Sequence, residues 1–295
     1  MIYSARYRID IGPHVFPTQK YSLIVDRLIA SGAIRSTDLV EPEPATWNQL
    51  ALVHTHAYLA KLRDGTLTPE DVRQLELPWS PEMVDGFRTM AGGTILAATQ
   101  LSTLDPPVSI HIGGGLHHAF PNHGEGFCPF NDVAVAARVL QQRGLERIAI
   151  VDLDVHHGNG TAFVFESDPR VLTCSLHQQH NYPMWKPAST IDVGLADGTR
   201  DAAYLTALEA VLPRVLAHEP ECVLYLAGAD PYEDDQLGGL RLTKDGLRQR
   251  DRMVVEAVTR AGIPLVVTLA GGYARRVEDT VSIHAATIEE ALRPA

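Results

Sequence analysis

The sequence predicts a single α/β domain with a mainly parallel central sheet, and three observations carry that expectation. Short apolar, β-branched runs alternate with longer amphipathic stretches throughout the 295 residues, the pattern of strands joined by helical crossovers. The strand-like runs lack polar alternation, as strands do when helices cover both faces of a sheet. No repeat, low-complexity tract or convincing linker divides the chain, so residues 1–295 read as one domain.

Residues 1–3 read as a short first strand, followed by a loop with Pro13, His14 and Pro17. His14 is a candidate for a site mouth, although a lone loop histidine is ordinarily just solvated. An amphipathic helix is expected over residues 21–30 and stops at Gly32. The proline-rich residues 41–44 form an exposed connection, and a helical apolar pattern over 47–62 contains His54 and His56, which suit packing or capping better than ligation. Ser80 followed by Pro81 opens a long helix that runs to about Leu101. Residues 108–112 form a strand that breaks into Gly113-Gly114-Gly115, with His117 and His118 just behind. A loop with Gly124, Gly126 and Phe127 leads to Asn131-Asp132, a cap for a helix over 133–142 that Gly144 ends.

Residues 148–160 organise the rest. Their first half is a continuous apolar run, and Asp152, Asp154 and His156, two residues apart, are expected on one face at its carboxyl end. Burying three polar groups there is costly without a shared partner, and a carboxylate beside an imidazole makes half of a divalent-metal site. Residues 171–176 form the next strand, followed by a polar loop with His177, His180, Tyr182 and Trp185. A helix over 201–217 precedes a strand over 222–227 that stops at Gly228-Ala229-Asp230. A helix over 243–260 ends at Gly262, a strand over 264–269 ends at Ala270-Gly271-Gly272-Tyr273, and a last helix closes the chain.

Composition narrows the function. With 45% hydrophobic and 21% charged residues the chain reads as soluble and globular, and its formal net charge of -11 argues against nucleic acid while favouring a cationic partner. No apolar run reaches membrane-spanning length and residues 1–8 have no signal-peptide core, which predicts a cytoplasmic protein without membrane contact. Cys128, Cys174 and Cys222 read as reduced, packed thiols.

Ligands of open parallel sheets bind outside the carboxyl ends of the strands, so the loops carrying His117-His118, Asp154 with His156, Asp230, and Tyr273 are expected to converge. Asp154, His156 and Asp230 supply three metal ligands and leave a position open for water, the arrangement of a catalytic zinc. Such an ion lowers the pKa of its water to about 7 and polarises a carbonyl. His117 and His118 then serve as general base and acid, and Tyr273 as hydrogen-bond donor to a tetrahedral oxyanion. Taken singly, paired histidines also suit a turn, Asp230 a cap, and a glycine-flanked tyrosine simple packing. Together they describe metal-assisted hydrolysis of an amide or ester.

Gly115-Leu116-His117-His118-Ala119, Gly126-Phe127-Cys128-Pro129-Phe130-Asn131-Asp132, Asp152-Leu153-Asp154-Val155-His156-His157-Gly158-Asn159-Gly160, Gly228-Ala229-Asp230 and Gly271-Gly272-Tyr273 resemble, in order and spacing, the motif series of the zinc-dependent histone deacetylase family. Tyr3-Ser4-Ala5-Arg6-Tyr7, His180-Asn181-Tyr182-Pro183 and Asp235-Gln236-Leu237-Gly238-Gly239-Leu240 look most like the class IV branch and its bacterial relatives.

The resemblance implies a three-layer arginase/deacetylase fold. It implies Asp154, His156 and Asp230 as ligands of one zinc (or ferrous iron), His117 and His118 as the acid/base pair, and Tyr273 as the carbonyl-polarising residue. It also implies Phe127 and Tyr182 as walls of an acyl-lysine tunnel, a Gly126 carbonyl for the substrate amide, Asp152 orienting His117, and Asn159 contacting His118. A structural potassium ion is implied at Asp152, Asp154 and Ser175. Arginase relatives carry further aspartates where this chain has Gly158 and Tyr232, so a mononuclear site is expected. The expected activity is removal of acetyl or longer acyl groups from lysine side chains. Deacetylation of a polyamine or other small acyl-amine, and an idle acyl-amine-binding module, are the alternatives; the oligomeric state is left open.

Overall fold

Apolar runs without alternation require cover on both faces, and the computed structural model of the chain supplies it. The structure describes residues 1–101, 104 and 107–293. Strands β1 (Val108–His111), β2 (Ile148–Asp152), β3 (Val171–Gln178), β4 (Ile191–Leu195), β5 (Cys222–Leu226) and β6 (Leu265–Thr268) form one sheet in the order β1-β6-β5-β2-β3-β4. Every pairing is parallel, and the register sets Asp152 beside Ser175 of β3 and Leu226 of β5.

The described helices are α1 (Lys20–Ala30), α2 (Trp47–Leu50), α3 (His56–Asp64), α4 (Pro69–Leu75), α5 (Pro81–Thr99), α6 (Asp132–Gln142), α7 (Asn159–Phe165), α8 (Asp201–Leu216), α9 (Lys244–Arg260) and α10 (Val277–Ala291). Side-chain alternation along β2 sorts the core into two halves. Ile148 and Ile150 pack with α5 and α6, whereas Ala149 and Val151 pack with α1, α8, α9 and α10. The result is three layers, helix on sheet on helix.

From β2 the chain proceeds through α7 to β3, and from β5 through α9 to β6, in opposite directions across the sheet. The neighbours β2 and β5 therefore flank the point where the winding reverses, which opens a crevice at their carboxyl ends.

Several elements differ from the sequence reading. Residues 1–3 form no strand: Ile2 makes isolated parallel bridges to Val40 and His111, and Ser4 then caps a tight turn over Ala5–Tyr7. The expected helix over 47–62 splits because Thr55 caps a new start, its hydroxyl accepting the Tyr58 N–H. Helices α4 and α7 and strand β4 lie in stretches to which the sequence reading assigns no element. Strand β4 lies at an edge, has only its ends buried, and follows the polar loop that holds His180, Tyr182 and Trp185. His177 belongs to β3 itself. The sheet is wholly rather than mainly parallel. Among the described residues no helix is long and apolar enough to cross a membrane, and the three cysteines are free and buried.

Candidate active site

Four strand ends meet at the crevice. The loop after β1 carries His117 and His118, that after β2 Asp154 and His156, that after β5 Asp230, and that after β6 Tyr273. Strand β2 ends at Asp152, so Asp154 and His156 stand on a bend rather than on an extended strand. Asp152 Oδ1 accepts the Asp154 N–H at 3.1 Å, and Asp154 Oδ1 accepts the His156 N–H at 2.9 Å, which fixes that bend.

Asp154, His156 and Asp230 are buried, and one donor atom of each lies within 4.8 Å of the others. His156 Nδ1 is 3.0 Å from Asp154 Oδ1 and 3.5 Å from Asp230 Oδ2. The Gly271 N–H donates to Asp154 Oδ2 at 2.8 Å, and the Val155 N–H to Asp230 Oδ1 at 2.9 Å. Asp230 Oδ2 is buried without a hydrogen-bond partner. Burial and the neighbouring Asp154 push the Asp230 carboxyl up, while burial of His156 is outweighed by Asp154 and Asp230, which raise its pKa to about 10. An orphaned carboxylate oxygen beside a second carboxylate is costly unless a cation satisfies both. A Cβ added at Gly271 collides with both carboxylates, so the space they face is kept clear by glycine. Two carboxylates and an imidazole fit zinc with one position open.

The two histidines are set apart by their partners. His117 Nδ1 lies 2.6 Å from Asp152 Oδ2, and although burial opposes its charge, Asp152 and Asp154 raise its pKa to about 9. His118 Nδ1 lies 2.7 Å from Asn159 Oδ1, and the amide's other end donates to Glu125 Oε1 at 2.7 Å. That donation orients the amide, so His118 carries its proton on Nδ1 and leaves Nε2 as an acceptor. Burial, with His117 and His156 nearby, holds His118 well below the usual histidine range and therefore neutral.

A pocket of about 160 Å³ opens above these groups, lined by Glu76, His118, Gly126, Phe127, His156, Asn181, Tyr182, Leu237 and Tyr273. Phe127 and Tyr182 stand where walls were expected: Phe127 lies 5.9 Å from the Tyr273 ring, and Tyr182 stacks edge-on at 5.0 Å from His118 and donates to Glu125 Oε1 at 3.0 Å. Gly126 has φ +53°, and a Cβ there would lie 2.7 Å from His118. Its carbonyl accepts the Cys128 thiol at 3.3 Å. His14 does reach the mouth, edge-on to Phe127 at 4.8 Å. Ser175 Oγ is 3.0 Å from His177 Nδ1. His54 packs as expected, its Nδ1 3.0 Å from the Phe120 carbonyl and its Nε2 accepting the Asn131 N–H at 3.0 Å.

Other residues hold the site: Asn131 and Asp132 do more than the capping the sequence predicts, and Lys20 and Arg250 escaped the sequence reading. Asn131 caps α6 by accepting the Ala134 N–H at 2.9 Å, and its amide also donates to the carbonyls of His117 (3.3 Å) and Ala119 (3.2 Å). Asp132 accepts the N–H groups of Gly115 (3.1 Å) and Leu116 (2.7 Å). Asp235 accepts the Tyr273 N–H at 2.7 Å. Arg250, fully buried, donates to the carbonyls of Leu153 (3.3 Å) and Gly228 (2.5 Å), next to the loops bearing Asp154 and Asp230. Lys20, also fully buried, donates to the Ala270 carbonyl at 2.9 Å; burial lowers its pKa to about 8 against the pull of Asp230, Asp154 and Asp235. The available signal for Lys20 is its place on the apolar stripe of α1 with Tyr21, Ile24 and Leu28.

Comparison with known proteins decides the family, since residues 14–288 match the histone deacetylase domain. The chain belongs to the histone deacetylase family. This histone deacetylase relative is 32% identical to Histone deacetylase 2 of Arabidopsis thaliana over 95% of this chain and 77% of that protein. It is 30% identical to the acetoin utilization protein AcuC of Bacillus subtilis over 82% and 68%, and 43% identical to an uncharacterized protein of Picosynechococcus over 92% and 90%. Among solved structures, a histone deacetylase homologue from Aquifex aeolicus superposes with a TM-score of 0.84 at 26% identity, covering 99% of this chain and 84% of the other. A homologue complexed with SAHA gives 0.83 at 26% identity with the same coverage. The family and its three-layer fold stand as the motifs imply, with the sheet all-parallel rather than mainly so, and membership points to a hydrolase of amide bonds.

Proposed function

We propose that the chain is a zinc-dependent deacylase that removes acetyl groups from lysine side chains. The observation that carries this reading is the buried Asp154, His156 and Asp230 cluster with its orphaned oxygen, whose His156 lines a pocket flanked by Phe127 and Tyr182. Zinc held by these three residues supplies a Lewis acid that polarises the amide carbonyl and acidifies water.

The chain's own groups do the rest. Neutral His118 accepts the proton of the attacking water at Nε2 and returns it to the leaving amine. His117, kept cationic by Asp152, stabilises the developing negative charge, and the Tyr273 hydroxyl donates to the oxyanion. Phe127 and Tyr182 hold the acyl-lysine stem, and the Gly126 carbonyl accepts the substrate N–H. The reading includes a potassium ion at Asp152, Asp154 and Ser175, supported by the pairing of Asp152 with Ser175 across β2 and β3.

Acyl length follows from space. Beside Asp154, between Tyr21, Leu116 and Cys128, a cavity of about 20 Å³ leaves room for about one water. That favours acetyl over long acyl chains. A second reading, an acetylated polyamine, is favoured by one observation: Glu76 lines the pocket mouth and offers a carboxylate to a distal ammonium.

Asp230→Ala tests the site. Loss of both the tightly bound zinc and deacetylase activity is expected; a variant that retains that zinc through gel filtration contradicts the ligand assignment. Glu76→Gln separates the substrates, since a polyamine deacetylase shows a higher KM for acetylated polyamine with little change for an acetyl-lysine peptide.

A further inference from the structure

The proposed chemistry leaves a second histidine cluster unused, at the edge of the sheet. His157, next to His156, makes its contacts elsewhere: its Nε2 lies 3.1 Å from Asp192 Oδ1 on β4 and 3.3 Å from Ser189 Oγ. His177 on β3 approaches edge-on, its ring centroid 4.7 Å from that of His157 at an interplanar angle of 84°. One nitrogen of each ring and one carboxylate oxygen of Asp192 lie within 4.8 Å of one another. The rings are 1% and 4% exposed, while Asp192 opens to solvent.

Two buried imidazoles are expected to use both nitrogens in hydrogen bonds. His157 turns Nε2 to Asp192, and its Nδ1, which diverges from that contact, is buried without a partner and does not face the cluster. His177 Nδ1 is engaged by Ser175 Oγ at 3.0 Å, and among the described residues its Nε2 has no hydrogen-bond partner.

We propose that His157, His177 and Asp192 form a second divalent-metal site, selective for zinc-like ions and distinct from the catalytic cluster. Tetrahedral zinc with bonds of about 2.0–2.1 Å spaces its donors about 3.3 Å apart, close to the His157–Asp192 separation of 3.1 Å. Two imidazoles and one carboxylate favour zinc over magnesium or calcium. The Ser175 hydroxyl fixes the His177 ring, the kind of supporting bond that ligating histidines carry. The fourth position is left to water, next to Ser189. A metal there clips edge strand β4 to β3 and to the loop bearing His156, adding to the β3–β4 ladder, the Thr173–Thr190 hydrogen bonds and the burial of Ile191 and Leu195. Solvent access through Asp192 makes this the weaker site.

The test is equilibrium dialysis of the full chain against buffered free zinc from nanomolar to micromolar, with elemental analysis and thermal unfolding at each step. Wild type is expected to take up a second equivalent at the higher concentrations and to gain thermal stability as it does. Asp192→Asn and His177→Gln are each expected to stop at one equivalent, without that gain, and to keep deacetylase activity. Asp230→Ala is expected to retain the weaker equivalent, so failure of the catalytic assignment stays distinguishable from failure of this one. A wild type that saturates at one equivalent, or an Asp192→Asn variant that still binds the second, overturns the proposal. Because Asp192 is exposed, that variant is informative even if His177→Gln fails to fold.

Discussion

At the scale of single residues, Tyr273 and His54 offer the cleanest contrasts. Removing the Tyr273 hydroxyl as Tyr273→Phe takes away one oxyanion donor and no packing, so kcat should fall about 10²–10³-fold with zinc content unchanged. Unaltered turnover would show that the oxyanion is stabilised elsewhere and that the role given to Tyr273 is wrong. His54 tests the interior. Burial lowers its pKa to about 4, because protonating Nε2 would set a second donor against the Asn131 N–H. Between about 4 and the unfolded value of about 6.5 the unfolded chain binds the extra proton, so stability is full above that window and falls as pH drops through it. The loss is about 2 kcal/mol between pH 7 and pH 5, and His54→Gln should remove it in urea titrations; equal losses in both proteins contradict the account. The active residues were readable because Asp154, His156 and Asp230 are polar groups at the ends of apolar runs, where nothing bland accounts for them. Lys20 and Arg250 were not, because a charged residue in a helical pattern reads as solvated until packing shows what it faces.

At the scale of elements, the loops at strand ends depend on what holds their carbonyls. Arg250 joins the Leu153 and Gly228 carbonyls from α9 and lies 2.7 Å from the buried Asp251, which also accepts the Tyr225 hydroxyl at 2.5 Å. Arg250→Met leaves that carboxylate buried without its cation, and a destabilisation of about 3–5 kcal/mol is expected; chemical denaturation of metal-loaded protein measures it, and a loss under 1 kcal/mol would mean that Arg250 is not the strut described. The helices and strands with strong apolar periodicity were readable in sequence to within a few residues. Those that were not, α4, α7 and β4, are short or edge elements. Their stability comes from docking: β4 from its ladder to β3, and α7 from packing against β3 and α6.

At the scale of the whole molecule, the reversal of winding between β2 and β5 explains why the proposed ligands Asp230 and His156, 74 residues apart, converge. Strand order is a tertiary property, so the sequence predicted convergence only through the rule that loops at strand carboxyl ends gather. The motif series added the family, and the structure added the depth of the cavity, which sequence does not encode locally. The small space beside Asp154 underlies the proposed preference for acetyl over long-chain substrates. The most direct measurement is turnover by purified protein, stripped of metal and then given one equivalent of zinc, on lysine peptides bearing acetyl through long-chain acyl groups, with acetylated polyamines alongside. Zinc-restored release of acetate, falling steeply as the acyl chain lengthens, is the predicted result; no turnover of any acetylated amine by protein that holds its tight zinc would contradict the account.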